Sequence, residues 1–213
     1  MKTNELIDLL SAGETAVDRH LAGKRFAIAL LAGGLGASLL MAVIFGVRPD
    51  LAEVASSPLL WAKIALPASL ATLALWLSSR LARPGVHGGV AWGLLVMPVL
   101  LVWVGAAVEL ASVAPDARAE LILGKTWRTC ALNIALLSVP TFAGVVWALR
   151  GLAPTRLRVT GAVGGLLAGA TATLAYCLHC PEMGIPFWGV WYLLGMMLPT
   201  IMGALLGPRL LRW

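Results

Sequence analysis

Apolar and polar positions alternate along this chain on a long scale. Six apolar runs, separated by short polar connections, lie near residues 26–46, 59–79, 88–110, 129–149, 159–178 and 188–207. Each is close to the ~20 residues that a helix needs to cross the hydrocarbon core of a bilayer. Gly33, Gly34, Gly36, Pro67, Pro98, Pro140 and Pro199 fall inside these runs. Such residues are compatible with membrane helices, where neighbouring helices re-satisfy freed backbone groups and small residues allow close approach. Gly161, Gly164, Gly165 and Gly169 recur through the fifth run, and this spacing predicts a face against which another helix packs closely.

Ahead of the first run, residues 1–25 form the only sizeable polar stretch before the membrane. Leu6, Ile7, Leu9 and Leu10, followed by Val17 and Leu21, fit an amphipathic helix interrupted near Gly13. Glu5 and Asp8 occupy its first turns, where negative charge suits the helix dipole, and Glu14 and Asp18 extend the acidic face. The basic residues Arg19, Lys24 and Arg25 come too late, and the apolar run after them is too long, for a cleaved signal sequence. The pattern therefore predicts an all-α integral membrane protein. It has a short amphipathic N-terminal segment (1–25) and one six-helix transmembrane domain (26–213).

Composition agrees. Apolar residues make up 60% of the chain, charged residues 12%, and the mean hydropathy is +0.89, whereas a soluble domain carries about 25% charged residues. The net charge of +6 is scattered among the ends of apolar runs, which points to topology rather than to nucleic acid. Eleven of the 16 Lys and Arg fall on the side that holds both termini. The other side has Arg48, Lys63, Arg118, Lys125 and Arg128, diluted by Asp50, Glu53, Asp116, Glu120 and Glu182. The positive-inside rule then places both termini in the cytoplasm (N-in/C-in). Trp61, Trp127, Trp188, Trp191 and Tyr192 are expected in an outer interfacial belt, and Trp76, Trp92, Trp147 and Trp213 in an inner one.

The chemistry is concentrated in Tyr176-Cys-Leu-His-Cys-Pro-Glu182, which ends the fifth run. On this topology Cys130 starts the fourth run at the same outer face, so all three cysteines stand on the side that is oxidising in a bacterium. Glu109 ends the third run there as well. A disulfide or thiol switch is one reading, most simply Cys130 with Cys180, and Cys177–Cys180 is a CxxC that could also pair. A soft-metal site is another, because thiolates and imidazole suit a transient Zn, Cd or Cu ion. In that case His179, Glu182 and Glu109 are the candidate ligands or their supports. The bland alternative is that these are small or solvated residues at helix ends. No phosphate-binding glycine loop, nucleophile elbow or HExxH is present, so an enzyme is not expected.

Several strings carry a resemblance along the whole chain. They are Met1 to Leu10, Arg48-Pro-Asp-Leu51, Trp127 to Cys130, Ala153-Pro-Thr-Arg156, Tyr176 to Glu182, Trp191-Tyr-Leu-Leu-Gly195, and the ending Gly203 to Trp213. Together they resemble the NrsF family of membrane anti-sigma factors. The resemblance implies a six-span inner-membrane protein that holds an extracytoplasmic-function (ECF) sigma factor and releases it under oxidative or heavy-metal stress. By position, it implies that Cys130 and Cys180 are the sensing pair and that Cys177 is an addition to it. The cytoplasmic segment then becomes the candidate sigma-binding element, presenting Leu6, Ile7, Leu9 and Leu10 with Glu5 and Asp8 to a groove. Two other classes draw on the same cysteines: a membrane thiol-redox protein and a soft-metal transporter. The odd number of thiols weighs against the first, and the lack of carboxylates or histidines in the cytoplasmic halves of the runs against the second.

Overall fold

A computed structural model describes residues 3–12, 18, 20–83, 85 and 88–212, apart from the side chains of Asn4, Leu6 and Leu10. The expected break at Gly13 lies outside the described residues, as do Lys2, Glu14, Val17, Arg19 and Trp213. The described residues contain helices and no strand.

Helix α1 (Thr3–Ser11) leaves Ile7 and Leu9 exposed. Helix α2 (Leu21–Leu40) continues through a π-helical turn (Met41–Phe45) and stops at Gly46, whose φ of 76° only glycine adopts without strain. Its two faces are cleanly divided. Phe26, Ala29, Gly33 and Ala37 point inward at helical spacing, while Leu31, Leu35 and Leu39 point out. A short turn, α3 (Leu51–Val54), leads to α4 (Pro58–Leu81). Pro58 opens α4 in its first turn, and the Ser57 hydroxyl accepts the Leu59 N–H at 3.3 Å. The remaining elements are α5 (Ala91–Ser112), α6 (Pro115–Leu123), α7 (Trp127–Arg150), α8 (Leu157–Tyr176) and α9 (Ile185–Leu210).

Six of these helices are long and apolar enough to span a membrane, and they overlie the six apolar runs. The small helices α3 and α6 were not visible in the hydropathy pattern. Helix α8 is the hub: 72% of its apolar window is buried, against 11% for α5. It packs on α9, α7, α4 and α2, whereas α5 leans on α4 and α9 from outside.

The glycines of α8 explain how this is achieved. A Cβ on Gly161, Gly165 or Gly169 would run into the α9 backbone at Gly203, Pro199 or Met196. Gly164 faces α7 instead, where a Cβ would lie 3.0 Å from Leu149. The glycine run thus serves two neighbours rather than one. With no hydrophobic drive between helices in lipid, such close contact supplies the van der Waals energy of association.

The tryptophan belts need one correction. Trp61, Trp76, Trp92 and Trp147 are exposed on the outer surface, but Trp188 and Tyr192 are buried in the helix core. They belong to the apolar cluster that includes the cysteines.

Candidate functional site

Helix α8 ends at Tyr176, yet the chain makes one further turn. The N–H of Cys177 reaches the Thr173 carbonyl at 2.9 Å, and the N–H groups of His179 and Cys180 both reach the Tyr176 carbonyl at 3.0 Å. Pro181 then stops the turn, because it offers no N–H and disfavours helical backbone at the residue before it. This tight wrap folds Cys180 back toward the first turn of α7, where Cys130 sits. All three thiols are free and wholly buried.

Cys130 and Cys180 lie within hydrogen-bonding reach of one another. Cys130 donates to the Cys180 sulfur, and this holds the Cys180 thiol below its ordinary range. Burial opposes the effect, while the nearby Lys63 ammonium and the Tyr192 hydroxyl assist it. Cys177, a turn earlier, also feels Lys63 and Tyr192 but lacks the hydrogen bond from Cys130, and burial pushes it up to about 12. Tyr176 and Tyr192 wall the site with ring centroids 6.0 Å apart. The Tyr192 hydroxyl has no oxygen or nitrogen partner and stands beside the Cys177 and Cys180 sulfurs.

Two cations hold the turn by its carbonyl groups. Lys63 of α4 donates to the Cys180 carbonyl at 2.7 Å and to the Glu182 carbonyl at 2.8 Å. Arg48 donates to the same Cys180 carbonyl at 3.3 Å and forms a two-point ion pair with Asp50, at 2.8 and 2.7 Å. The Arg48 N–H also donates to the Leu178 carbonyl at 3.1 Å. Neither cation is the solvated flank charge that topology alone suggests: Lys63 is 0% exposed and Arg48 7%. A lone lysine inside an apolar run was the available signal, since ionisable groups in spans are costly and tend to be functional.

The other candidates face elsewhere. His179 Nδ1 lies 2.9 Å from the Gly46 carbonyl, and its ring packs on Phe45 and Tyr176. The Glu182 carboxylate accepts the Lys125 N–H at 2.8 Å and the Thr126 hydroxyl at 3.4 Å, just before α7. Glu109 accepts the Ile185 N–H at 2.9 Å, so it caps the N-terminus of α9. Among the described residues no three His, Cys, Asp or Glu side chains converge as a metal cluster. The structure brings Cys130 and Cys180 together with Cys177 beside them, and gives His179, Glu182 and Glu109 structural partners. On α1, Glu5, Ile7, Asp8 and Leu9 are exposed.

Comparison with known proteins gives a consistent result. The family model described as negative regulator of sigma F matches residues 10–213. The chain is 46% identical to the probable anti-sigma-F factor NrsF of Azospira oryzae, over the whole of both chains. It is 37% identical to the anti-sigma-F factor NrsF of Caulobacter vibrioides, again over the whole of both. No solved structure matches.

Proposed function

The chain belongs to the NrsF family, and we propose that it is an anti-sigma factor that holds an ECF sigma factor at the bacterial inner membrane. Both termini lie in the cytoplasm, and α1 is the element that binds the sigma factor. The exposed Ile7 and Leu9 on a short acidic helix support this, because an amphipathic helix offers apolar anchors to a partner's groove. Glu5 and Asp8 make an anionic lipid surface a poor alternative for the same face. Release follows thiol chemistry at Cys130 and Cys180 under oxidative or heavy-metal stress. One observation carries this part: two buried free thiols, one on α7 and one in the turn after α8, meet at the end of the bundle opposite the start of α2. A bond between them changes how α7 sits against α8, and both helices run to the cytoplasmic side.

The deciding experiment is a detergent pull-down of the tagged protein from its host, with and without residues 1–22. Wild type should bring a sigma factor and the truncated chain should not. Adding dichromate or cadmium should release the sigma factor from wild type but not from a Cys130→Ser/Cys180→Ser protein. Normal release from that double variant would overturn the thiol step while leaving the anti-sigma assignment in place.

A further inference from the structure

Lys63 is a buried charge without a carboxylate. It lies in the second turn of α4, is 0% exposed, and stands 5.6 Å from the centre of the Tyr192 ring. Among the described residues the side-chain ion pairs are Lys24–Asp18 and Arg48–Asp50, so Lys63 takes part in neither. The two carbonyl groups it binds lower the cost of burying an ammonium but bring no net charge.

The groups that surround this end of α4 can be taken in turn. Helix α7 supplies Cys130, α8 supplies Tyr176 and Cys177, the turn after α8 supplies Cys180, and α9 supplies Tyr192. Arg48 donates to the Cys180 carbonyl as well, with Asp50 already bound to it. Glu182 is engaged by Lys125 and Thr126, and Glu109 by Ile185. The anions available to balance Lys63 are therefore sulfur and phenol groups, and Cys180 is the one whose backbone Lys63 also grips.

We propose that Lys63 is the counter-ion of a Cys180 thiolate, a positioning residue that fastens the 180–182 segment to α4 and keeps this thiol in its reactive ionised form. The inference rests on the thiol-sensor reading above and names what makes one of its two sulfurs the attacking one. The thiolate, rather than the thiol, is the nucleophile, and a neighbouring lysine favours it. Lys63 also stands near Cys177, but it is the backbone of Cys180, not of Cys177, that its ammonium grips at 2.7 Å.

The test is the pH profile of alkylation of the full-length protein in detergent. Iodoacetamide is the probe: a sulfur–carbon bond forms as iodide leaves. Peptide mass spectrometry reads Cys180 and Cys177 separately, and the Cys180 profile should move further than that of Cys177, whose backbone Lys63 does not hold. Lys63→Met removes both charge and donors. Lys63→Gln keeps donors for the Cys180 and Glu182 carbonyls but removes the charge. Both variants should move the Cys180 profile to higher pH by a unit or more, which is about tenfold slower alkylation at neutral pH. A wild-type Cys180 profile in folded Lys63→Gln would overturn the proposal, because donors alone would then suffice. Should Lys63→Met lose its helix content, Lys63→Gln decides alone. Sigma factor co-purification, measured in parallel, separates the two readings. Its absence in wild type defeats the anti-sigma assignment without touching the Cys180 profile.

Discussion

Gly161 of α8 and Gly203 of α9 face one another so closely that a Cβ on either would run into the carbonyl oxygen of the other. Neither obstacle is a side-chain tip that can swing away; both are backbone. Gly161→Ala or Gly203→Ala should therefore separate the two helices at their most intimate contact. A loss of roughly 1–3 kcal/mol is expected, the usual penalty for overpacking. Thermal unfolding in detergent measures it. Gly93→Ala on α5, where a Cβ would meet nothing within 4 Å, is the control and should be neutral or mildly stabilising. Equal melting temperatures for all three variants would mean that α8 and α9 do not pack in this way.

Cys177 invites a different expectation from its neighbour three residues on. Burial pushes its thiol up to about 12, so at neutral pH it is a small apolar side chain and a poor nucleophile. Cys177→Ala should retain stress-induced release of the sigma factor, while Cys180→Ser should abolish it. Loss of release in Cys177→Ala, with sigma binding intact, would make the CxxC the working pair instead.

Much of this architecture could be read from the chain, for reasons that differ by element. The six spans are visible because length and apolarity are properties of single segments. The glycine face on α8 is visible because helical spacing maps residues onto a side. The meeting of Cys130 with Cys180 is another matter. It depends on the extra turn past Tyr176 and its arrest at Pro181, which helical periodicity does not encode. Lys63 and Arg48 were counted as flank charges because hydropathy treats an ionisable residue near a span end as solvated. Their burial arises from carbonyl groups more than a hundred residues away. The roles of Glu109 as a cap on α9 and of Glu182 as an anchor for the residues just before α7 were hidden for the same reason, since a contact supplied by a distant side chain leaves no local signature.

The Arg48–Asp50 pair gives a pH prediction with a definite sign. Hydrogen bonds from Arg48 hold the Asp50 carboxyl below its ordinary value of 3.8. With the folded value depressed, the contribution of the pair is complete above the unfolded value and is lost as pH falls through the folded one. Nothing should change between neutral pH and about 5. Below that, Arg48 loses its anchor and its grip on the Cys180 and Leu178 carbonyls loosens. Amide exchange of the 178–183 segment should rise only in the acid range for wild type. In Asp50→Asn it should be raised already at neutral pH and respond less to acid. A flat profile in wild type would show that Asp50 does not govern that grip.

Glu109 separates a structural carboxylate from a sensing one. Its oxygen accepts the first N–H of α9, and negative charge is favourable at that end of the helix dipole. Glu109→Ala leaves this N–H without its acceptor and should cost about 1 kcal/mol, the usual value of a lost cap. Glu109→Gln keeps an acceptor oxygen while removing the charge, so its loss should be smaller. Neither change reaches the thiols, because Glu109 contacts the start of α9 and not the turn that carries Cys180. Sigma release by oxidant or cadmium should therefore keep its wild-type dose dependence in Glu109→Gln, while unfolding in detergent shifts slightly. If Glu109→Gln instead raised the cadmium concentration needed for release and left stability untouched, the carboxylate would belong to the sensor.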